Sequence, residues 1–173
     1  MEVRPQDIVV LLKLLVVPDQ QASTYARLGE DLFMSPSQVF RSVNRASAAR
    51  LLQHPALSAK LNRENLKEFL IHGVKYAFPI ERGVMTRGIP TAYAAPPLKH
   101  AIAGDLEPPP VWPYAQGTLR GLEFSPLYEN VPKASLRDPK LYELLTLLDA
   151  IRDGRVRERE LAIRELTARI DAA

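Results

Sequence analysis

The chain has 173 residues, of which 46% are hydrophobic and 25% charged, and its formal net charge is +3. This length and apolar content suffice for one domain, or one domain plus an arm, with a core of its own. The absence of cysteine excludes disulfides, thiolate metal sites and cysteine nucleophiles. Because no stretch approaches the roughly 20 apolar residues of a membrane span, we expect a soluble, unexported cytoplasmic protein with no membrane partner.

Residues 8–17 form the first apolar run of the chain. The run predicts a buried helix entered through Pro5 and ended by Pro18, although a buried strand has the same apolar pattern. Ser23 and Thr24 follow as N-cap candidates for a short helix. Its apolar face is predicted to carry Tyr25, Leu28 and Leu32.

The start of the next helix is marked by residues 35–38. Ser35 is the expected N-cap, Pro36 takes the first helical position, and Gln38 completes a capping box. At about 100° per residue, one side of this helix gathers Val39, Val43 and Ala46, with Phe40 at the edge of that side. The opposite, polar side is predicted to carry Ser37, Gln38, Arg41, Asn44 and Arg45.

The charges around this helix are all of one sign. No Asp or Glu occurs from Leu32 through Arg63, and the cations in that window are Arg41, Arg45, Arg50, Lys60 and Arg63. The window predicts a positive surface of the kind that an anionic partner requires.

Residues 51–61 are too short for a further helix because His54 and Pro55 interrupt them, and two brief strands around a turn fit instead. Asn62 is the expected N-cap of an amphipathic helix that Pro79 ends. Its apolar residues are Leu66, Phe69, Leu70, Gly73, Val74 and Ala77.

The region from Pro79 to Pro139 holds 11 of the 15 prolines and has no strong period. It predicts extended segments packed over the rest of the protein, without regular helix or sheet. The aromatic residues Tyr93, Trp112, Tyr114, Phe124 and Tyr128 argue against a freely disordered linker. They are expected to anchor this arm, or alternatively to line a pocket for a small molecule.

Two more helical stripes follow, and Gly154 is the expected C-cap between them. The first stripe holds Leu141, Leu144, Leu145, Leu148 and Ile151, and the second holds Val156, Ile163, Leu166 and Ile170. These stripes either pair two subunits or cover their own core, and we favour dimerisation.

The stretch TYARLGEDLFMSPSQVFRSVNRASAARLL, residues 24–52, resembles the helix-turn-helix of winged-helix transcription regulators, with the MarR-type group closest. The resemblance covers about residues 5–78. The matching positions are Leu28, Leu32, Ser35, Val39 and Arg41, and Leu51 and Leu52 resemble the entry to the wing. Three positions depart from the family: Gly29 replaces a usual alanine, while Phe33 and Arg50 replace usual glycines.

This resemblance implies a mainly α fold with a small β-wing, in which residues 1–78 form a winged helix-turn-helix domain. Residues 79–136 would then be the extended arm, and residues 137–173 a helical segment available for dimerisation. The implied function is a dimeric, sequence-specific regulator that inserts the helix after Ser35 into the major groove of double-stranded DNA. The candidate DNA-binding residues are Ser37, Gln38, Arg41, Asn44, Arg45, Lys60 and Arg63.

The roles of these residues follow from their chemistry. Arg41 and Arg45 are candidates for guanine, Asn44 and Gln38 for adenine, and Ser37 for phosphate. Lys60 and Arg63 flank the predicted wing, where they either contact phosphate or are simply solvated.

We expect no enzyme, because the sequence contains no phosphate-cradling loop and no nucleophile elbow. His54, His72 and His100 lack metal-ligand spacing, so no metal and no cofactor is expected. The alternative function is a protein-interaction module, such as the antitoxin of a toxin-antitoxin pair, whose residues 79–136 clasp a partner protein encoded nearby.

Overall fold

A computed structural model describes residues 2–18, 24–102 and 107–173. The protein is mostly helical and has one small three-stranded sheet, so the prediction of a mainly α fold with a small β element is confirmed. The α-helices are α1 (Pro5–Val16), α2 (Tyr25–Leu32), α3 (Pro36–Ala48), α4 (Arg63–Glu68), α5 (Val74–Ala77), α6 (Val131–Arg137), α7 (Pro139–Asp153) and α8 (Val156–Ala172). The strands are β1 (Arg82–Pro90), β2 (Pro110–Pro113) and β3 (Leu119–Phe124).

Helix α1 lies in the core, because its apolar residues leave no polar side in the middle of the helix. Five consecutive residues, Ile8 to Leu12, are at most 1% exposed. Pro5 stands in the first turn, where its missing N–H costs no hydrogen bond. The helix predicted for this run is confirmed, and it packs against both α3 and α7.

Helices α2 and α3 are joined by a tight turn. The Thr24 hydroxyl caps α2 by accepting the Arg27 N–H at 3.1 Å, as predicted, whereas Ser23 lies outside the described residues. Phe33 ends α2 in the left-handed conformation, with φ 56° and ψ 40°. The predicted capping box then starts α3, since the Gln38 N–H donates to Ser35 Oγ and the Ser35 N–H donates to Gln38 Oε1.

The loop after α3 contains less sheet than the sequence predicts. Instead of two brief strands there is one antiparallel bridge, between Leu52 and Leu61. Hydrogen bonds from Gln53 N to Lys60 O and from Asn62 N to Leu51 O extend it by one step on either side. The loop is thus closed at its base but is not a strand pair.

The predicted helix after Asn62 is confirmed, with an Asn62 side-chain cap on the Asn65 N–H. Between α4 and α5 the backbone widens into a π-helical turn, Phe69–Gly73. Leu66, Leu70 and Val74 point into the core and are fully buried. This apolar stripe attaches the helix to α7.

The prediction of no regular structure between residues 79 and 139 is wrong, because β1, β2, β3 and α6 all lie there. Strand β1 pairs antiparallel with both β2 and β3, which pair parallel with each other, so the sheet closes on itself. The first half of β1 is exposed, so its sequence does not show the alternation of apolar and polar residues that is typical of a half-buried strand. The prolines Pro90, Pro110 and Pro113 stand at strand ends, where a missing N–H is tolerated.

The two C-terminal helices are confirmed, and they pack against each other. The α7 stripe is almost wholly buried, as are Leu166 and Ile170 of α8. These buried residues cover the chain's own core, whereas Val156 at the start of α8 is 61% exposed. Dimerisation stays a prediction. Gly154 follows α7 as predicted, but with extended angles, φ −70° and ψ 151°.

Residues from all three predicted segments enter one hydrophobic core. Leu11 of α1, Trp112 of β2 and Leu145 of α7 belong to the same buried cluster. The three segments therefore share their buried surface. Within the part of the chain that the structure describes, there is no helix of the length and hydrophobicity that crossing a bilayer takes.

Candidate functional site

The outer side of α3 is the candidate site, and the structure places only part of the predicted set on it. Ser37 and Arg41 are exposed, and Gln38 and Asn44 are half-buried. Among the described residues, no carboxylate forms an ion pair with Arg41. Four of the five predicted side chains on this helix therefore reach the surface.

The two amide side chains on this side are already engaged. Gln38 Oε1 accepts the Ser35 N–H at 2.8 Å, and Gln38 Nε2 donates to the Tyr128 hydroxyl at 3.4 Å. Asn44 Nδ2 donates to the Phe40 carbonyl oxygen at 2.8 Å, one turn earlier. Each amide nitrogen carries two hydrogens, so each retains a donor for a ligand.

The placement of Arg45 on the outer side is wrong. Its Nε donates to Asp7 Oδ2 at 2.8 Å and its Nη2 to Asp7 Oδ1 at 2.6 Å, and the guanidinium is buried. Hydrogen bonding to Asp7 raises the pKa of Arg45, against a smaller opposing effect of burial. Because Asp7 lies on α1, Arg45 fastens α3 to the core helix and is not free to contact a ligand.

The two cations expected at the wing have different surroundings. Lys60 is exposed on the loop closed by the Leu52–Leu61 bridge. Arg63 is exposed at the start of α4, and its Nη2 donates to the backbone carbonyl oxygen of Ala173. Lys60 is thus available to an anion, whereas the Arg63 guanidinium is engaged at the end of α8.

The turn before α3 is held from outside by α6. Asn130 Nδ2 donates to the Phe33 carbonyl oxygen at 2.7 Å, and Arg137 Nη1 donates to the Glu30 carbonyl oxygen at 3.2 Å. The Arg137 guanidinium also lies 4.2 Å from the centre of the Phe33 ring, within cation–π range. These contacts fasten the end of α2 and the turn to α6.

The three departures from the family pattern have a structural explanation. Phe33 and Arg50, which stand where glycine is usual, both have positive φ, 56° and 61°. At the end of α2 the Met34 N–H donates to the Gly29 carbonyl oxygen, and at the end of α3 the Leu51 N–H donates to the Ala46 carbonyl oxygen. Each bond spans six residues and encloses the residue with positive φ. Gly29 is required at its position because an added Cβ would collide with the Met34 carbonyl oxygen.

Phe40 and Arg4 are site residues that the sequence did not reveal. A pocket of about 390 Å³ opens beside α3 and is lined by Glu2, Arg4, Phe40, Arg41, Asn44 and Arg45. Phe40 is 50% exposed although it was placed at the edge of the apolar side. Its position on the helical wheel lies between the apolar and the polar side of α3. Nothing in the sequence indicated that the residues before α1 approach it.

Trp112 anchors the arm on α7. Trp112 is fully buried, and its Nε1 donates to Asp149 Oδ2 at 2.7 Å; Thr91 Oγ1 donates to the same oxygen at 2.7 Å. Arg152 Nη1 donates to the other carboxylate oxygen at 2.9 Å. Burial raises the pKa of Asp149, and these three donors oppose that shift. The arm is thereby fixed to α7.

Comparison of the chain with protein-family models, with curated proteins and with solved structures finds no match. The interpretation of the site therefore depends on its geometry and chemistry.

Proposed function

We propose that this protein is a winged-helix transcription regulator that binds double-stranded DNA by inserting α3 into the major groove. The observation that carries the proposal is the exposed Arg41 on a capped helix whose orientation is fixed by the turn at Phe33. Helix α3 stands in a stretch without a single acidic residue, from Leu32 to Arg63. A rigid, positive helix of this kind matches the width and the charge of a DNA groove.

The proposed contacts are divided by chemistry. Arg41 pairs with guanine, Asn44 uses its remaining amide donor and its oxygen toward adenine, and Gln38 uses its remaining amide donor. Ser37, at the N-terminal end of α3, and Lys60, on the loop after α3, contact phosphates and position the helix. Arg45 is no longer part of the set, since Asp7 holds it in the core.

The loop at residues 51–62 takes the place of the wing in this proposal. It follows α3 directly, is closed by the Leu52–Leu61 bridge, and carries the exposed Lys60. A loop with one cation contributes affinity through the phosphate backbone and little sequence preference. Binding as a homodimer belongs to the proposal, with an interface that does not use the α7 stripe or Leu166 and Ile170 of α8, which are already buried.

Selection of bound fragments from random double-stranded DNA tests this function. The proposal predicts enrichment of a defined site, with two half-sites about 10 base pairs apart if a dimer binds. Affinity for that site should fall steeply with salt, since each neutralised phosphate adds about −0.9 to the slope of log K against log salt. Failure to enrich any sequence, together with a flat salt dependence, would refute it.

A protein-interaction function is the second candidate, and one observation favours it. Val84 and Met85 on β1 are 75% and 44% exposed, an unusual use of apolar side chains on a strand. Stoichiometric co-purification with the product of a neighbouring gene, lost on Val84→Lys, is the result expected of this candidate. Co-purification unaffected by Val84→Lys would count against the use of this strand.

A further inference from the structure

We propose that Phe40 is a specificity-determining residue whose ring contacts the 5-methyl group of a thymine in the major groove. This inference depends on the proposed function, since it assigns a base to a residue on the same helix. It concerns the one large apolar side chain that α3 exposes next to Arg41.

The first support is the exposure of Phe40. Its side chain is 50% exposed and lies beside the polar residues Arg41 and Asn44. The core side of α3 is filled by other apolar side chains. Val39 and Val43 are fully buried, so Phe40 is not needed to close the core. An aromatic ring at this position offers apolar surface where the rest of the helix offers charge and hydrogen bonds.

The second support is that the ring is held in place. Tyr25 meets it edge to face, with the ring centres 5.5 Å apart and the planes at 78°. Tyr25 is the first residue of α2, whose N-terminus is capped by Thr24. A ring with this contact loses little conformational entropy when it meets a ligand.

The third support is the chemistry of the pocket beside the ring. Arg4, Arg41 and Asn44 supply hydrogen-bond donors there, whereas the Glu2 carboxylate disfavours a phosphate in the same space. A base edge fits this mixture of donors, acceptor and apolar surface better than an anion does. Among the four bases, only thymine presents an apolar group in the major groove.

The test uses the DNA site selected for the full chain and replaces each thymine in turn by deoxyuridine, which removes only the methyl group. At one thymine we expect wild-type affinity to fall about fourfold, the value of one buried methyl group. Phe40→Ala should bind the thymine and uracil duplexes equally at that position. Phe40→Leu should keep part of the difference, and Val156→Ala, an exposed apolar control on α8, should keep all of it.

The outcomes separate the two proposals. If wild-type protein binds every uracil-substituted duplex as tightly as the thymine duplex, the Phe40 assignment is overturned even though DNA binding stands. The same conclusion follows if Phe40→Ala keeps the full thymine preference. The wild-type measurement needs no variant, so it can overturn the assignment even if Phe40→Ala does not fold, and Phe40→Leu then tests whether the ring is responsible. Absence of any DNA binding by the wild-type protein contradicts the proposed function itself.

Discussion

Asp7 and Arg45 connect the first helix of the chain to the third through two hydrogen-bonded contacts of 2.8 and 2.6 Å. Asp7 is fully buried and also accepts the Arg4 N–H at 2.8 Å, so its carboxylate completes the start of α1 as well. The pair sets the position of α3 on the core. Arg45 thus acts on the candidate site through the helix that carries it.

Removing the arginine of this pair should destabilise the protein strongly. Arg45→Ala leaves the Asp7 charge buried without its partner, which typically costs about 3–5 kcal/mol of unfolding free energy. Arg41→Ala is the matched control on the same helix and should change stability by less than about 0.5 kcal/mol. Urea unfolding followed by circular dichroism measures both. Equal midpoints for Arg45→Ala and wild type would contradict the buried pair.

The left-handed residue after α3 predicts a stabilising substitution. Arg50 has φ 61°, which costs an L-residue about 1 kcal/mol relative to glycine, so Arg50→Gly should raise the unfolding free energy by about 0.5–1 kcal/mol. Gly29→Ala should have the opposite effect, because its Cβ would overlap the Met34 carbonyl oxygen. Thermal unfolding of the two variants beside wild type compares them. A destabilised Arg50→Gly would show that the arginine side chain matters more than its backbone.

The phenol of Tyr142 predicts a loss of stability at high pH. Burial raises the pKa of Tyr142 to about 12, and its hydroxyl donates to the Pro90 carbonyl oxygen at 2.5 Å. Because the native pKa lies above the ordinary value of 10, this contribution is complete below pH 10 and is lost as the pH rises through about 12. Phenolate absorbance during alkaline titration should show a late step.

Tyr142→Phe should abolish that step, whereas Tyr76→Phe, at a position 76% exposed, should retain it. If Tyr142→Phe retained the late step, another phenol would be responsible and the assignment would be wrong.

The anchor of the arm on α7 predicts the effect of one hydroxyl group. Thr91→Val keeps the shape of a fully buried side chain but removes the hydrogen bond to Asp149. The loss should be about 1–3 kcal/mol, since a buried carboxylate then lacks one of its donors. Thr86→Val, at a half-buried position of β1 whose hydroxyl donates only to the Arg87 carbonyl oxygen at 3.5 Å, is the control and should be close to neutral. Chemical denaturation that finds the two variants equally stable would show that the Thr91 contact contributes nothing.

The helices were predictable because their signals are local. Ser35, Pro36 and Gln38 lie within four positions and specify the start of α3 without reference to the rest of the fold. The apolar stripe of α7 likewise indicates helix and burial together, whereas the continuous apolar run of α1 indicates burial but also fits a strand. The positive φ of Phe33 was indicated only by comparison with a family that has glycine there.

The sheet and the role of Arg45 depend on partners far along the chain. Gly88 pairs with Pro113, and Arg45 pairs with Asp7. These partners lie too far apart along the chain for a local sequence pattern to indicate the pairing. Arg45 was placed on the outer side by its angle on the helix, but the buried carboxylate of Asp7 on α1 draws its guanidinium into the core. Phe40 was similarly ambiguous, since its exposure depends on how α1 and α2 pack around α3.

Fluorescence anisotropy of a labelled duplex carrying the selected site tests the central claim most directly. Arg41→Ala should weaken binding by about 1–3 kcal/mol and relax the preference at one base pair. Arg157→Ala removes an exposed arginine from α8 and should leave binding unchanged apart from a small effect of net charge. If Arg41→Ala bound as tightly as wild type, or if both variants lost the same affinity, α3 would not be the helix that enters the groove.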